Sequence, residues 1–324
     1  MRGYEKKWCK KCGSRLQKWG KNKSGSVRFR CSECKLIQTR KRSDITRINH
    51  KKVFIEWLLG KLELSWYAAK YGITRQTLFN WFTPFWLEEP LPKLVDIRDD
   101  VLVIDGKYVS FTATVLIIAT VEKIVSWSFT YRENSQTWYT FLSGIRQVPF
   151  VIVCDGQRGM LKAINQRFPG IIIQRCQFHV MHFCLAKLTQ KPESTAAQKL
   201  RLVVLKIVSI KTKEQFKIWF EDYLLWRKTY QYFLKEKTYQ NYNLTPTGRP
   251  TWHYTHGRLH AAHSHLKNAL PNLFKYLLYP QIPNTTNFVE GAINAPMQEK
   301  LRSHRGLTLN QRRVLIAHFL SSKQ

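Results

Sequence analysis

The sequence predicts a multidomain α/β protein, in which two small N-terminal modules precede a mixed-sheet core that carries a helical insertion. Three observations lead there. Four cysteines form two C-x-x-C pairs in a strongly basic N-terminal stretch. A segment of helical apolar spacing, broken by one glycine, follows them. Beyond a group of prolines the period changes, and two near-continuous apolar runs each end in Asp-Gly. Such short runs between turn residues are the pattern of buried strands, and 3.6-residue spacing is that of helices.

The first pair is Cys9 and Cys12, the second Cys31 and Cys34. Each can grip one tetrahedral Zn²⁺ from a tight turn, and the spacer Gly13 to Arg30 is long enough for a hairpin that brings the pairs together. Val27-Arg28-Phe29-Arg30 approaches the second pair with strand-like alternation. Two disulfides are the alternative, which spacing and composition disfavour. A zinc ribbon holding structural Zn²⁺ is expected over residues 1–45.

Charge indicates the partner. The chain has 53 Lys+Arg against 21 Asp+Glu, a formal charge of +32. Residues 1–51 hold 17 of the basic residues and only Glu5, Glu33 and Asp44 as acids, with Trp8, Trp19 and Phe29 interleaved. This balance calls for a polyanion, most simply double-stranded DNA. With 44% hydrophobic residues, full disorder is excluded. The longest apolar run, Ala113 to Val121, is too short to cross a bilayer, and no signal-peptide core follows Met1. A cytoplasmic protein without membrane contact is expected.

A helix–turn–helix is expected over residues 46–88. Val53 to Leu59 has helical spacing. Ser65 and Thr74 are candidate N-caps, and Gly72 stands where a helix must stop. Ala68 and Ala69 permit a close helix crossing, and Ile73, Leu78 and Trp81 close its core. The second helix would carry Arg75, Gln76, Thr77, Phe79 and Asn80, and Arg, Gln and Asn read base edges in a major groove. An ordinary helical hairpin is the alternative. Pro84, Pro90 and Pro92 mark a linker.

The core begins with Val101-Leu102-Val103-Ile104-Asp105-Gly106. Ala113–Thr120 and Ile124–Thr130 read as two more strands, and Ser135–Gln147 as a helix. Phe150-Val151-Ile152-Val153-Cys154-Asp155-Gly156 repeats the first pattern; helix Gln157–Phe168 and strand Ile171–Ile173 follow. Three strands, helix, strand, helix, strand is a mixed sheet of ribonuclease-H-like order. Asp105 and Asp155, at matching strand ends, could share Mg²⁺ if the strands are neighbours. From residue 237 onward the only acids are Glu290 and Glu299. Thr285 or Thr286 can cap a helix that sets Asn287, Glu290 and Asn294 on one face. Glu299, beside Lys300 and Arg302, reads as a surface charge.

These pieces resemble the DDE transposases of bacterial insertion sequences, in the group related to the Mutator transposases. The resemblance rests on Val103-Ile104-Asp105-Gly106, Asp155-Gly156-Gln157-Arg158-Gly159, Gln174-Arg175-Cys176-Gln177-Phe178-His179, Asn284-Thr285-Thr286-Asn287 with Glu290-Gly291, and Leu301-Arg302-Ser303-His304-Arg305-Gly306-Leu307. It covers roughly residues 95 to 320. It implies a ribonuclease-H-like core, residues 95–180 and 283–324, split by an all-helical insertion over 181–282. It implies that Asp105, Asp155 and Glu290 bind two Mg²⁺ (or Mn²⁺) ions, and that Cys176 and His179 form a C-x-x-H motif. With Asn287 this pair would support the site by packing and hydrogen bonding rather than by holding metal.

The insertion reads as helical at Leu200–Ile210, Phe216–Leu225 and Leu259–Leu270. It contains Trp219, Trp226, Trp252 and a histidine-rich run from His253 to His265, for which packing or DNA contact is expected rather than metal. Arg302, His304, Arg305, Arg312 and Arg313 would lie along DNA. The implied function is binding of terminal inverted repeats, Mg²⁺-dependent strand cleavage and 3′-OH strand transfer, by a homodimer at the bacterial nucleoid. A non-catalytic DNA-binding regulator is the alternative, and a structure-specific nuclease of the same fold a third reading.

Overall fold

A computed structural model describes residues 8–22, 25, 27–39, 48–93, 97, 100–110, 113–244 and 250–324. The ends of the expected 1–45 module, residues 1–7 and 40–45, lie outside these. The chain divides into two compact units, Met1–Val53 and Phe54–Gln324.

In the first unit, β1 (Leu16–Lys21), β2 (Val27–Cys31) and β3 (Ile37–Thr39) form an antiparallel sheet in sequence order. Leu16 lies opposite Cys31, and Phe29 opposite Gln38. Each C-x-x-C pair is followed at once by a left-handed residue, Gly13 at φ 74° and Lys35 at φ 58°. The two turns are thus equivalent. The strands are largely exposed, and Cys9 and Cys31 are the buried side chains among the described residues of this sheet and its turns.

Helix α1 (His50–Leu59) spans the division in sequence. Then α2 (Leu64–Lys70) and α3 (Arg75–Phe82) flank a turn in which Gly72 has φ 61°. Thr74 caps α3, its Oγ1 accepting from Thr77 N–H at 3.1 Å. Ser65 is not a cap. The extended residue is Glu63, and Ser65 lies inside α2, its hydroxyl donating to Glu63 Oε2. Leu78 and Phe82 are fully buried, whereas Trp81 is half-buried. The expected linker starts late: Pro84 belongs to a short 3₁₀ turn, Thr83–Leu87, whose Trp86 packs edge-on against Phe54 at 4.9 Å.

The core sheet comprises β4 (Val101–Ser110), β5 (Ala113–Ala119), β6 (Ile124–Thr130), β7 (Val151–Cys154) and β8 (Ile172–Arg175). Its order is β6-β5-β4-β7-β8. The first three strands run antiparallel to their neighbours, and β4, β7 and β8 pair in parallel. Helices α4 (Ser135–Ser143) and α5 (Arg158–Arg167) make the parallel crossovers. Alternation along β4 sends Leu102 and Ile104 to a core with Trp138, Leu142, Met160 and Ile164 of α4 and α5. Val103 and Asp105 therefore face the other side, where the C-terminal helices pack.

The insertion begins with α6 (Gln177–Leu188) and continues through α7 (Thr195–Leu205) and the long α8 (Lys213–Lys235). It is not all helical. Strands β9 (Lys237–Leu244) and β10 (Pro250–Tyr254) form an antiparallel hairpin before α9 (Gly257–Ala269). The sequence there favours strands: Thr238, Tyr239 and Tyr242 suit a pleated surface, and Pro246 and Pro250 cannot continue a helix. Trp219 and Trp226 are core residues, donating to Val203 O and Ala196 O. Trp252 instead lies on the hairpin, 44% exposed, with Lys237 Nζ 3.6 Å from its ring centre.

The histidines of the insertion disperse into packing. His256 bonds Glu236 and stacks on Phe233, and His260 stacks on Tyr254. Buried His263 lies 3.2 Å from the Tyr223 hydroxyl. Burial, aided by Arg227 and Lys267, pushes His263 down to about 4 from 6.5. The unfolded chain therefore binds more protons between those values. Stability is full above pH 6.5 and falls as pH drops toward 4, by up to about 3 kcal/mol from this residue. Thermal melts from pH 7 to 4.5 should show this decline, and His263→Gln should flatten it.

The chain closes with a π-helical turn, Val289–Asn294, continuous with α10 (Ala295–Ser303), and then α11 (Leu309–Ser321). Among the described residues no helix is long and apolar enough to cross a membrane.

Candidate active site and DNA interface

Sheet register brings the two aspartates together. Val103 pairs with Val153 in the parallel β4–β7 ladder, so Asp105 and Asp155, each two residues on, reach neighbouring positions at one end of the sheet. Adjacent strands lie about 4.8 Å apart. Asp105 is 7% exposed, and Asn294 Nδ2 donates to its Oδ2 at 2.6 Å. Burial pushes the Asp105 carboxyl up to about 6, with Asp155 and Glu290 adding repulsion and Asn294 and His179 opposing it. Asp105 thus lies within electrostatic reach of both Asp155 and Glu290.

Asp155 occupies a tight turn. The Gln157 N–H donates to its Oδ1 at 3.0 Å, and Arg175 Nη2 donates to its backbone carbonyl at 3.0 Å. Gly156 has φ 81°, and a Cβ there would lie 2.0 Å from Arg175 Nε. The Asp-Gly pair is therefore required by the buried arginine beneath it as well as by the backbone.

Glu290 sits in the π-helical turn. Thr286 does not cap this helix with its side chain. Its hydroxyl and its N–H both donate to Cys176 Sγ, at 3.4 and 3.3 Å. His179 Nε2 lies 3.2 Å from Glu290 Oε1. The hydrogen bond to Cys176, then the charges of Cys176, Glu290 and Asp105, push His179 up to about 9 despite burial. Burial alone would raise the Cys176 thiol, but hydrogen bonds from His179 and Thr286 turn the shift downward. Cys176 and His179 thus tie the start of α6 to the acid-bearing turn. Among the described residues, they do not join a cluster with metal-holding spacing. Of the two amides flanking Glu290, Asn294 reaches Asp105 and Asn287 is exposed.

Two residues at the site went unread in the sequence. Arg175 is buried, its Nε has no partner among the described residues, and its Nη2 also lies 3.4 Å from His265. Glu133 accepts from the Trp138 indole at 3.0 Å, and its carboxylate lies where a Gly106 Cβ would stand. Burial raises its pKa, with nearby Asp155 adding to the shift. The signal for Glu133 was the scarcity of acids in the core segment; the signal for Arg175 was a charged residue ending an apolar strand.

The donor set suits hard cations. Asp105 feels both Asp155 and Glu290, although among the described residues the three acids do not form a group with metal-holding spacing, and Asn294 Oδ1 is buried without a hydrogen-bond partner among the described residues. Oxygen-only sets of this kind fit Mg²⁺ or Mn²⁺. In the first unit, the thiols of Cys9, Cys12, Cys31 and Cys34 all lie within 4.8 Å of one another, and none is in a disulfide. Four such thiols can hold one tetrahedral ion.

On α3, Arg75, Gln76, Phe79 and Asn80 are exposed, and Gln76 Nε2 donates to Asn80 Oδ1. Thr77 is turned toward its cap, its hydroxyl 3.0 Å from Thr74 Oγ1. Arg302 and Arg305 are exposed. Arg312 and Arg313 do not join a free basic face: Arg312 Nε donates to Leu307 O, and Arg313 pairs with Glu89 at 3.3 Å. Packing around α11 draws both inward.

Sheet and site together define an α/β protein with acids gathered at its strand ends. Residues 93–235, less than half of the chain, match the family described as Transposase, Mutator family. Asp105, Asp155, Cys176 and His179 lie inside the match, and Glu290 beyond it. No curated protein matches the chain. The match supports a transposase function.

Proposed function

We propose that the protein is a DDE transposase with a ribonuclease-H-like core, in which Asp105, Asp155 and Glu290 hold two Mg²⁺ ions. The observation that carries this reading is buried Asp105 of β4, held by Asn294 and within electrostatic reach both of Asp155 in the turn after β7 and of Glu290 in the turn before α10. The sheet order β6-β5-β4-β7-β8 supports the ribonuclease-H-like assignment. Bound Mg²⁺ supplies an activated nucleophile and a stabilised leaving oxygen in phosphoryl transfer. The protein's own groups do the positioning. Asn294 orients Asp105, the Gln157 N–H and Arg175 fix the Asp155 turn, and His179 holds Glu290 against its own helix. The substrate would be the terminal inverted repeats, read by Arg75, Gln76 and Asn80, with water attacking first and the freed 3′-OH then attacking target DNA. A homodimer would hold two ends together.

The test is Mg²⁺-dependent nicking of a labelled duplex carrying the repeat that flanks the gene. Cleavage at the repeat end, lost in Asp155→Ala with binding retained, is expected. Repeat binding without cleavage by the intact protein would instead favour a DNA-binding regulator.

Structural Zn²⁺ in the first unit belongs to the same reading. Its described strands bury almost nothing but cysteine, so a metal must supply the stability that an apolar core does not. Chelation, or Cys31→Ser, is expected to unfold Met1–Val53 while the remainder keeps its melting transition. Hydrogen exchange resolved by segment would check this.

A further inference from the structure

The helix–turn–helix of this protein is not a tethered module. Phe54, Leu58, Leu78 and Phe82 are fully buried within one compact unit with the core. Trp57 stacks on Phe82 at 5.1 Å and meets His304 edge-on at 4.7 Å. His304 Nε2 lies 3.1 Å from Leu58 O, and Lys300 Nζ donates to Gly60 O at 3.0 Å. Phe54 packs edge-on against His318 of α11, and Arg313 of that helix pairs with Glu89 just beyond the 3₁₀ turn. Buried aromatics, the Lys300 bond to a backbone carbonyl and the His304 contact with another make this a fixed joint rather than a hinge.

The partner in that joint is the helix that carries Glu290. Lys300 lies on α10 and His304 just past its end, and α10 continues the turn that holds Glu290. From Glu290 to His304 the helix rises on the order of 20 Å, equal to roughly six base pairs of duplex. Where the two parts meet, Lys61, Arg75, Phe79, Arg305 and Gln311 line a cleft of about 580 Å³. Exposed Arg75 of α3 and Arg305 of the turn after α10 thus share one basic surface. Its charge, in a chain of +32, fits the phosphates of duplex DNA.

We propose that α3 and the Ser303–Leu307 turn form one rigid surface for duplex DNA, which sets the cleavage point at a fixed distance from the sequence that α3 reads. The proposal rests on the transposase reading above. A tethered reading domain would tolerate spacing changes in the repeat; a welded one would not.

The experiment uses the full-length protein and repeat duplexes with a half turn or a full turn of DNA inserted between the footprinted site and the cleaved end. Footprinting and nicking are measured on each. Expected are unchanged footprints with either no cleavage or cuts inside the spacer at the original offset. Cleavage at the displaced end should fall at least about 100-fold, because a misplacement of reacting groups by only about 1 Å costs that much. Cleavage at the displaced end at a comparable rate would overturn the fixed offset and leave the transposase reading standing. Failure to bind or cut the natural repeat would overturn both.

Discussion

Gly156→Ala is expected to abolish strand cleavage and to lower the melting temperature of the core. Two costs coincide. A left-handed φ of 81° strains any side chain, by about 1–2 kcal/mol. The new methyl would also lie 2.0 Å from Arg175 Nε, and that guanidinium is only 4% exposed and has no room to retreat. Moving it breaks its bond to the Asp155 carbonyl and shifts the carboxylate that the turn presents. Overpacking of this kind adds about 1–3 kcal/mol. The double variant Gly156→Ala with Arg175→Ala removes the collision but keeps the strain, so it should regain part of the stability and little of the activity. Additive losses in that cycle would show that the two residues do not collide.

Asn294→Ala is expected to lower the cleavage rate about 10- to 100-fold with repeat binding unchanged, the usual cost of losing a group that orients a metal-binding carboxylate. The amide is the hydrogen-bond donor to Asp105 Oδ2, and it counters the burial that raises this carboxyl to about 6. Without it, Asp105 is held less well and is protonated more readily. Asn287→Ala serves as the contrast, since that exposed amide touches neither aspartate among the described residues and its loss should change cleavage little. Equal losses in the two variants would refute a special role for Asn294. Cleavage measured across a Mg²⁺ titration separates weakened metal binding from a slower step at saturation.

Strand-forming runs were the most legible part of the fold. Short, β-branched apolar runs such as Ala113–Ala119 favour a doubly covered strand, and all five core strands form within a few residues of their expected limits. Cysteine spacing was equally direct, because two equivalent turns follow from two equivalent C-x-x-C pairs. The β9–β10 hairpin was not legible, since its alternation is polar and aromatic rather than apolar, and nothing about it announces burial. Ser65 misled because its side chain suits a cap, while the backbone stays helical there and the extended residue is Glu63. At the candidate site the two aspartates could be read as apolar runs ending in acids, and Glu290 as one of two acids beyond residue 237. Arg175 and Glu133 left only the weaker signals named above, because their places depend on packing between distant segments. The choice of Asn294 over Asn287 turned on the π-helical turn, a local underwinding that residue spacing does not reveal.

The Cys176–Thr286 contact has a consequence for how the protein comes into being. It joins residues 110 positions apart in the chain, with the whole insertion made between them. At ribosomal rates of 5–20 residues per second, the acid-bearing turn leaves the ribosome on the order of ten seconds after the Asp155 strand. On the reading proposed above, a nascent chain would through that interval hold Asp105 and Asp155 without Glu290, and α3 without its brace from α10. A growing polypeptide could thus touch DNA without cutting it, and synthesis order alone would delay nicking until the last helices dock.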